Sequence, residues 1–197
     1  MARPLPAVRR ALADATALFD RLGLRYAVVG GLAVGAWGVS RSTDDVDVFV
    51  ELPVARRAEI RRALVKKGFD VPAMTEELTK FGVFRSRSKQ DVFLDLFDAV
   101  GPLGAAVLSR RRRLRLGRKA VWFVGPEELV VLKAFSDRQR DFEDLAALLA
   151  LPKKSLDLDY VRGWAAQLDR SLGSDEVTQR LARASALARK TRRRNEP

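Results

Sequence analysis

Histidine and cysteine are both absent from the chain, and each absence removes a body of chemistry. Without imidazole there is no Ser-His-Asp or Cys-His arrangement and no histidine-zinc site. Without thiols there are no disulfides and no thiolate metal sites, which leaves the redox compartment open. Carboxylates, hydroxyls, lysines and arginines remain. A metal held by such hard oxygen ligands would be magnesium or manganese, which keep several waters and share substrate phosphates. A long apolar run is missing too. The longest charge-free stretch, Tyr26 to Ser40, is too short and too rich in glycine to span a bilayer, and Arg9, Arg10 and Asp14 interrupt the N-terminus where a secretory signal would be uncharged. These features predict a cytoplasmic protein with no membrane partner.

What is present suits a soluble globular chain: 197 residues, 47% of them hydrophobic, can bury a real core. The net charge of +12 is localised. Residues 110 to 119, RRRRLRLGRK, carry seven bases and no acid, and residues 189 to 194, RKTRRR, carry five and no acid, so the other 25 bases balance all 25 acids. Two basic patches on an otherwise neutral protein suit a polyanion.

The order of patterns is that of an α/β protein. PAVRRALADATALFDRL has helical spacing with Gly23 as a stop, and LRYAVV reads as a buried strand. Gly30 and Gly31 turn the chain into a short small-residue helix, and DVDVFVE alternates as a half-buried strand. PVARRAEIRRALVKKG is an amphipathic helix. FGVFRSR and DVFLDLF form an antiparallel pair around the turn-like SKQ, residues 101 to 110 a helix, and RLRLGRKAVWFV a hairpin. After Pro126 the pattern is helical throughout. The expected division is an α/β core over residues 1–124 and a C-terminal helical region over 125–197 that ends in the basic tail.

Asp45 and Asp47 lie one residue apart on a strand, so both carboxylates leave the same face, while Val46, Val48 and Val50 point into the core. Two like charges on one face repel unless a cation joins them, and such a pair holds divalent ions for phosphoryl transfer. Asp95, between Leu94 and Leu96, offers a third carboxylate from another strand; Asp91 shares its face only if that strand starts early. The Gly30-Gly31 turn allows a ligand phosphate to approach the backbone. Lys133, Asp137, Arg140, Asp141 and Asp144 fall on one face of a continuous helix, either as a surface ladder of ion pairs or as a lysine turned towards a triphosphate. Ser136 and Asp137 are the alternative signal, a break between two helices.

The order GG, a small-residue helix, RSTDDVDVFV, a later LDLF and the helical LKAFSDRQRDFEDLAALL resembles the nucleotidyltransferase superfamily with the DNA polymerase β-like fold. Within it the chain is most similar to the AbiEii-like group, which includes toxins of toxin–antitoxin systems and tRNA-modifying toxins. The resemblance covers roughly residues 24 to 150. It implies a mixed sheet flanked by helices, with Asp45 and Asp47 as paired metal ligands, Asp95 as the third, and Gly30 and Gly31 as the nucleotide-phosphate loop. It also implies that Arg41 and Thr43 lie near the triphosphate, that Lys133 is the helical lysine, and that Arg140, Asp141 and Asp144 form the RDxxD stretch.

The expected activity is transfer of a nucleoside monophosphate from an NTP to a hydroxyl, with magnesium or manganese as cofactor. Asp45, Asp47, Asp95 and Lys133 would be catalytic, and Gly30, Gly31, Arg41, Thr43, Lys133 and Arg140 would bind the nucleotide. Arg110, Arg111, Arg112, Arg113, Arg115, Arg118 and Lys119 are the candidate RNA track, which points to RNA, a tRNA 3′ end in particular, as acceptor. A cognate antitoxin is the further expected partner. A small-molecule acceptor is the enzymatic alternative, and a nucleic-acid-binding protein without turnover the non-enzymatic one.

Overall fold

The computed structural model of the chain describes residues 5–71, 82–116, 119–151 and 156–195, with side chains as far as Arg192. Two compact units divide it: Met1–Ala36 with Ser40–Gly125, and Trp37–Val39 with Pro126–Pro197.

The first unit opens with helix α1 (Pro6–Arg21), whose first turn uses the fixed backbone angle of Pro6. Val8, Ala11, Leu12, Ala15, Leu18 and Phe19 recur at helical spacing and are buried. Strand β1 (Tyr26–Val28), helix α2 (Gly30–Ala36) and strand β2 (Asp45–Val50) follow. A single 3-10 turn, Val54–Arg56, leads into α3 (Arg57–Lys66). Then come β3 (Phe69–Asp70), β4 (Val83–Ser88), β5 (Phe93–Asp98), α4 (Gly101–Ser109), β6 (Arg112–Leu116) and β7 (Lys119–Phe123).

The strands form one seven-stranded sheet in the order β3-β4-β5-β2-β1-β7-β6 among the described residues. Pairs β2–β5 and β1–β7 are parallel and the others antiparallel, so the sheet is mixed and flanked by helices, as the sequence predicts. The two-residue β3 has no clear periodic signal in the sequence; it exists because Phe69 and Asp70 pair with Ser88 and Arg87. Strand β2 lies between β5 and β1, so its acids are not those of an edge strand. Val46, Val48, Val50, Leu94 and Leu96 share the core face and are fully buried.

The second unit contains α5 (Pro126–Phe135), α6 (Gln139–Ala150), α7 (Leu158–Leu172) and α8 (Glu176–Asn195). The single helix that would carry Lys133 through Asp144 on one face does not form. Residues 136–138 break it, and the Ser136 hydroxyl is turned to Asp141 at 2.6 Å, a bond to the next helix that competes with helix continuation. Asp169 near the end of α7 accepts hydrogen bonds from the Val177 and Thr178 amides, at 2.9 and 3.0 Å, and so caps the start of α8. Arg192 near the end of α8 donates to the carbonyls of Leu149, Ala150 and Leu151, where α6 leaves its last acceptors open. No helix among the described residues is long and apolar enough to cross a membrane.

Candidate active site

Strand β2 presents Asp45, Asp47 and Phe49 half-exposed on one face, the alternation its sequence demands. The register then fills in the neighbours. Asp45 stands beside Phe93, Asp47 beside Asp95 and Phe49 beside Phe97 on β5, while Arg85 and Arg87 of β4 stand beside Asp95 and Phe93. Residues opposite one another across strands share a face, so three acids, three aromatics and two arginines occupy a single patch.

The loop before β2 closes onto this patch. A side chain at Gly30, whose backbone has φ of +59°, would run into the Asp47 carboxylate, with its Cβ 1.9 Å from Oδ2. A side chain at Gly31 would meet the guanidinium of Arg41 at 2.0 Å and the hydroxyl of Thr43 at 2.8 Å. Gly30, at positive φ and against the Asp47 carboxylate, requires glycine, and at Gly31 the Arg41 and Thr43 side chains press close to the backbone. Thr43, itself buried, donates its hydroxyl proton to Asp45 and fixes that carboxylate. Gly30, Gly31, Arg41, Thr43, Asp45, Asp47 and Asp95 thus lie together.

Asp95, 5% exposed, is held by Arg85 through two bonds, Nε to Oδ1 at 2.8 Å and Nη2 to Oδ2 at 2.7 Å. The bond to Asp95 raises the guanidinium pKa above its ordinary value, with smaller contributions from Asp45 and Asp47. Among the described residues no group of three acids is placed to hold one ion, and Asp95 pairs with Arg85, directly across the strand pair. Asp45 and Asp47 alone fit a hard divalent ion, being two carboxylates on one face beside a hydroxyl. Asp91, the other acid weighed for this face, lies before β5 begins, at φ of +64°.

Lys133 sits in the second unit at 5% exposure. Its ammonium pairs with Asp141 and with Asp144, the latter at 2.9 Å. Burial pushes the Asp141 carboxyl up, but the hydrogen bonds from Lys133 and Ser136 outweigh this and hold it below the usual aspartate value. Asp141 also accepts from Arg138 Nε at 2.7 Å. Arg140 and Asp137 are exposed.

The basic hairpin β6–β7 exposes Arg112, Arg113, Arg115 and Lys119, with Leu114 and Leu116 half-buried between them. Arg111 is different. It donates to the Leu108 carbonyl at 2.6 Å and stacks on the Trp122 ring at 4.6 Å, and burial lowers its pKa. Arg110 is half-buried, and Arg118 lies outside the described residues. Sequence reasoning missed Arg85, Phe93 and Phe97. The alternation of VFRSRS and FLDLFD carried the signal, but only the register shows that they share a patch with Asp45 and Asp47.

The family whose model is described as a nucleotidyl transferase of unknown function, DUF2204, matches residues 8–179. No curated protein sequence matches the chain. Among solved structures, it is similar to ANT(2″)-Ia in complex with adenylyl-2″-tobramycin, at 17% identity and a TM-score of 0.60 over 83% of this chain and 97% of that one. It is also similar to an antigenic nucleotidyltransferase-like protein from Paracoccidioides brasiliensis, at 17% identity and 0.54 over 92% and 95%. The lincosamide antibiotic adenylyltransferase LnuA, lincomycin-bound, matches at 12% identity and 0.53 over 76% and 99%.

Proposed function

We infer, for a chain that belongs to the nucleotidyl transferase family DUF2204, that it moves a nucleoside monophosphate from an NTP to a hydroxyl of RNA, in particular a tRNA 3′ end. The observation that carries this reading is the pair Asp45 and Asp47 on one strand face, closed over by a glycine turn that the Asp47 carboxylate and Arg41 press against.

In the step, the acceptor oxygen bonds to the α-phosphorus. The bond from that phosphorus to the β-bridging oxygen breaks, and pyrophosphate leaves with the electron pair. Asp95 receives the hydroxyl proton; each of its oxygens keeps a lone pair beyond its bond to Arg85. Thr43 orients Asp45, and Arg41 with the Gly30-Gly31 backbone steadies the phosphates. Magnesium or manganese held by Asp45 and Asp47 would supply neutralisation of the triphosphate charge when bound. Lys133, its ammonium given to Asp141 and Asp144, acts on the second unit's own packing rather than on the nucleotide.

RNA is favoured by the exposed bases of β6–β7, to which phosphates are the natural counterions. A toxin role with a cognate antitoxin extends the same reading: blocked tRNA ends halt translation. Expression would then arrest growth, and Asp47→Asn would relieve the arrest. A small hydroxylated acceptor is the second reading, supported by the antibiotics named with ANT(2″)-Ia and LnuA. Pyrophosphate release, measured with each NTP in the presence and absence of total tRNA, separates the two. Stimulation by tRNA, with label from the α-phosphate entering the RNA, is expected. Release that ignores tRNA but responds to a hydroxylated small molecule overturns the RNA reading.

A further inference from the structure

The register extends the active-site face across the sheet. Phe49 pairs with Ala27, Val28 with Phe123 of β7, and Arg113 with Trp122, so alternation puts Trp122 and Arg113 on the same face as Phe49, Phe97 and Phe93. Phe93 is 40% exposed, so its ring is open to a ligand. The guanidinium groups of Arg85 and Arg87 lie over its ring at 4.9 and 5.5 Å. Phe49 and Phe97 stack on each other at 5.3 Å with their planes 12° apart. Arg111 and Arg113 lie over Trp122 at 4.6 and 5.6 Å. The rings and arginines of this face therefore form two groups, Trp122 with Arg113 on β7–β6 and the phenylalanines with Arg85 and Arg87 on β2–β5–β4, separated at β1 by the buried Ala27, with the acids in the second group.

We propose that this face is a stacking platform for single-stranded nucleic acid, which leads the acceptor end to Asp95, with Phe93 holding a base beside the reacting centre. Aromatic rings serve bases of any sequence, and arginines serve both the ring faces and the intervening phosphates. Arg87 also pairs with Asp91, but both side chains are more than half exposed, and so exposed a pair exchanges readily for a phosphate. A duplex, whose bases are already stacked and paired, cannot use the rings. Strand spacing near 4.8 Å places β6 about 19 Å from β5, so the platform accommodates a run of several nucleotides rather than one ligand.

The proposal rests on the RNA reading above and is tested separately from it. Anisotropy of a fluorescein-labelled ten-residue oligoadenylate, single-stranded and annealed to its complement, gives acceptor affinity; titration calorimetry with magnesium–NTP gives nucleotide affinity. The single strand is expected to bind at least about tenfold more tightly than the duplex. Phe93→Leu should weaken the single strand roughly 5- to 100-fold, and Phe93→Trp should restore it. Trp122→Leu should weaken it comparably, with its melting curve measured alongside, while the exposed Phe93 carries the test if that variant does not fold. A wild type that prefers duplex or binds neither strand overturns the platform, as does a Phe93→Leu protein with unchanged affinity. If no NTP binds or turns over while the ring dependence holds, the transferase assignment of the site falls and the platform stands.

Discussion

At the scale of single residues, the decisive test is to separate activity from stability at β2. Asp45→Asn and Asp47→Asn each remove the charge of a carboxylate proposed to hold the ion and relieve repulsion between neighbouring carboxylates. Transfer should fall by about a hundredfold or more. The melting temperature in metal-free buffer should hold or rise slightly. Turnover near wild type in either variant would remove these residues from the site. Both aspartates were legible in the sequence because strand alternation alone puts them opposite Val46 and Val48, which are fully buried. Arg85 was not. Its bond to Asp95 depends on how β4 and β5 register across a turn in which Asp91 adopts a left-handed backbone, and a period-two pattern is silent about register. Phe93 was hidden for the same reason, since an isolated phenylalanine in an apolar run reads as core.

Among elements, the junction of α5 with α6 shows what charge within a helix-like pattern can hide. Lys133 is buried between two carboxylates, so Lys133→Met should destabilise the protein by about 3 to 5 kcal/mol, because both buried carboxylates would lose the ammonium they share. That corresponds to a fall in melting temperature on the order of 10 °C. The folded pKa of Asp141 is depressed, so its contribution is complete above the unfolded value near 3.9 and is lost as pH falls through the lower folded value. Stability of the wild type should therefore stay level from neutral pH to about pH 4.5 and drop below about pH 4, and the drop should be shallower in Lys133→Met. Chemical denaturation at a series of pH values reads both. A variant as stable as wild type would show that the ammonium contributes nothing to packing. The helices themselves were readable from their apolar spacing. The break at residues 136–138 was ambiguous, since the heptad-like charge positions survive it and only the Ser136 bond to Asp141 decides.

For the molecule as a whole, composition located the charge excess but could not distinguish solvated arginines from internal ones. Arg111 lies on Trp122 and the Leu108 carbonyl, and Arg192 clasps the end of α6, although both read as members of surface patches. The salt dependence of RNA binding should follow the solvated set. Replacing Arg113, Arg115 and Lys119 with Gln should lower the slope of log K against log salt by roughly 2 to 3, whereas Arg111→Gln should lower stability first. Titrations at several salt concentrations give the slope, and an unchanged value in the triple variant would place the polyanion elsewhere. The position of β6 adds a consequence of a different kind. Among the described residues it is a terminal strand of the sheet, with no further strand paired to its outer side, the usual template on which a second sheet grows. Arg112, Arg113 and Arg115 make that border repel its own copies, so the residues that attract a polyanion also keep the protein from polymerising through its open side. Neutralising them would therefore lower the concentration at which the chain stays monodisperse, and a bound polyanion, by masking the same charges, would bring free protein closer to self-association.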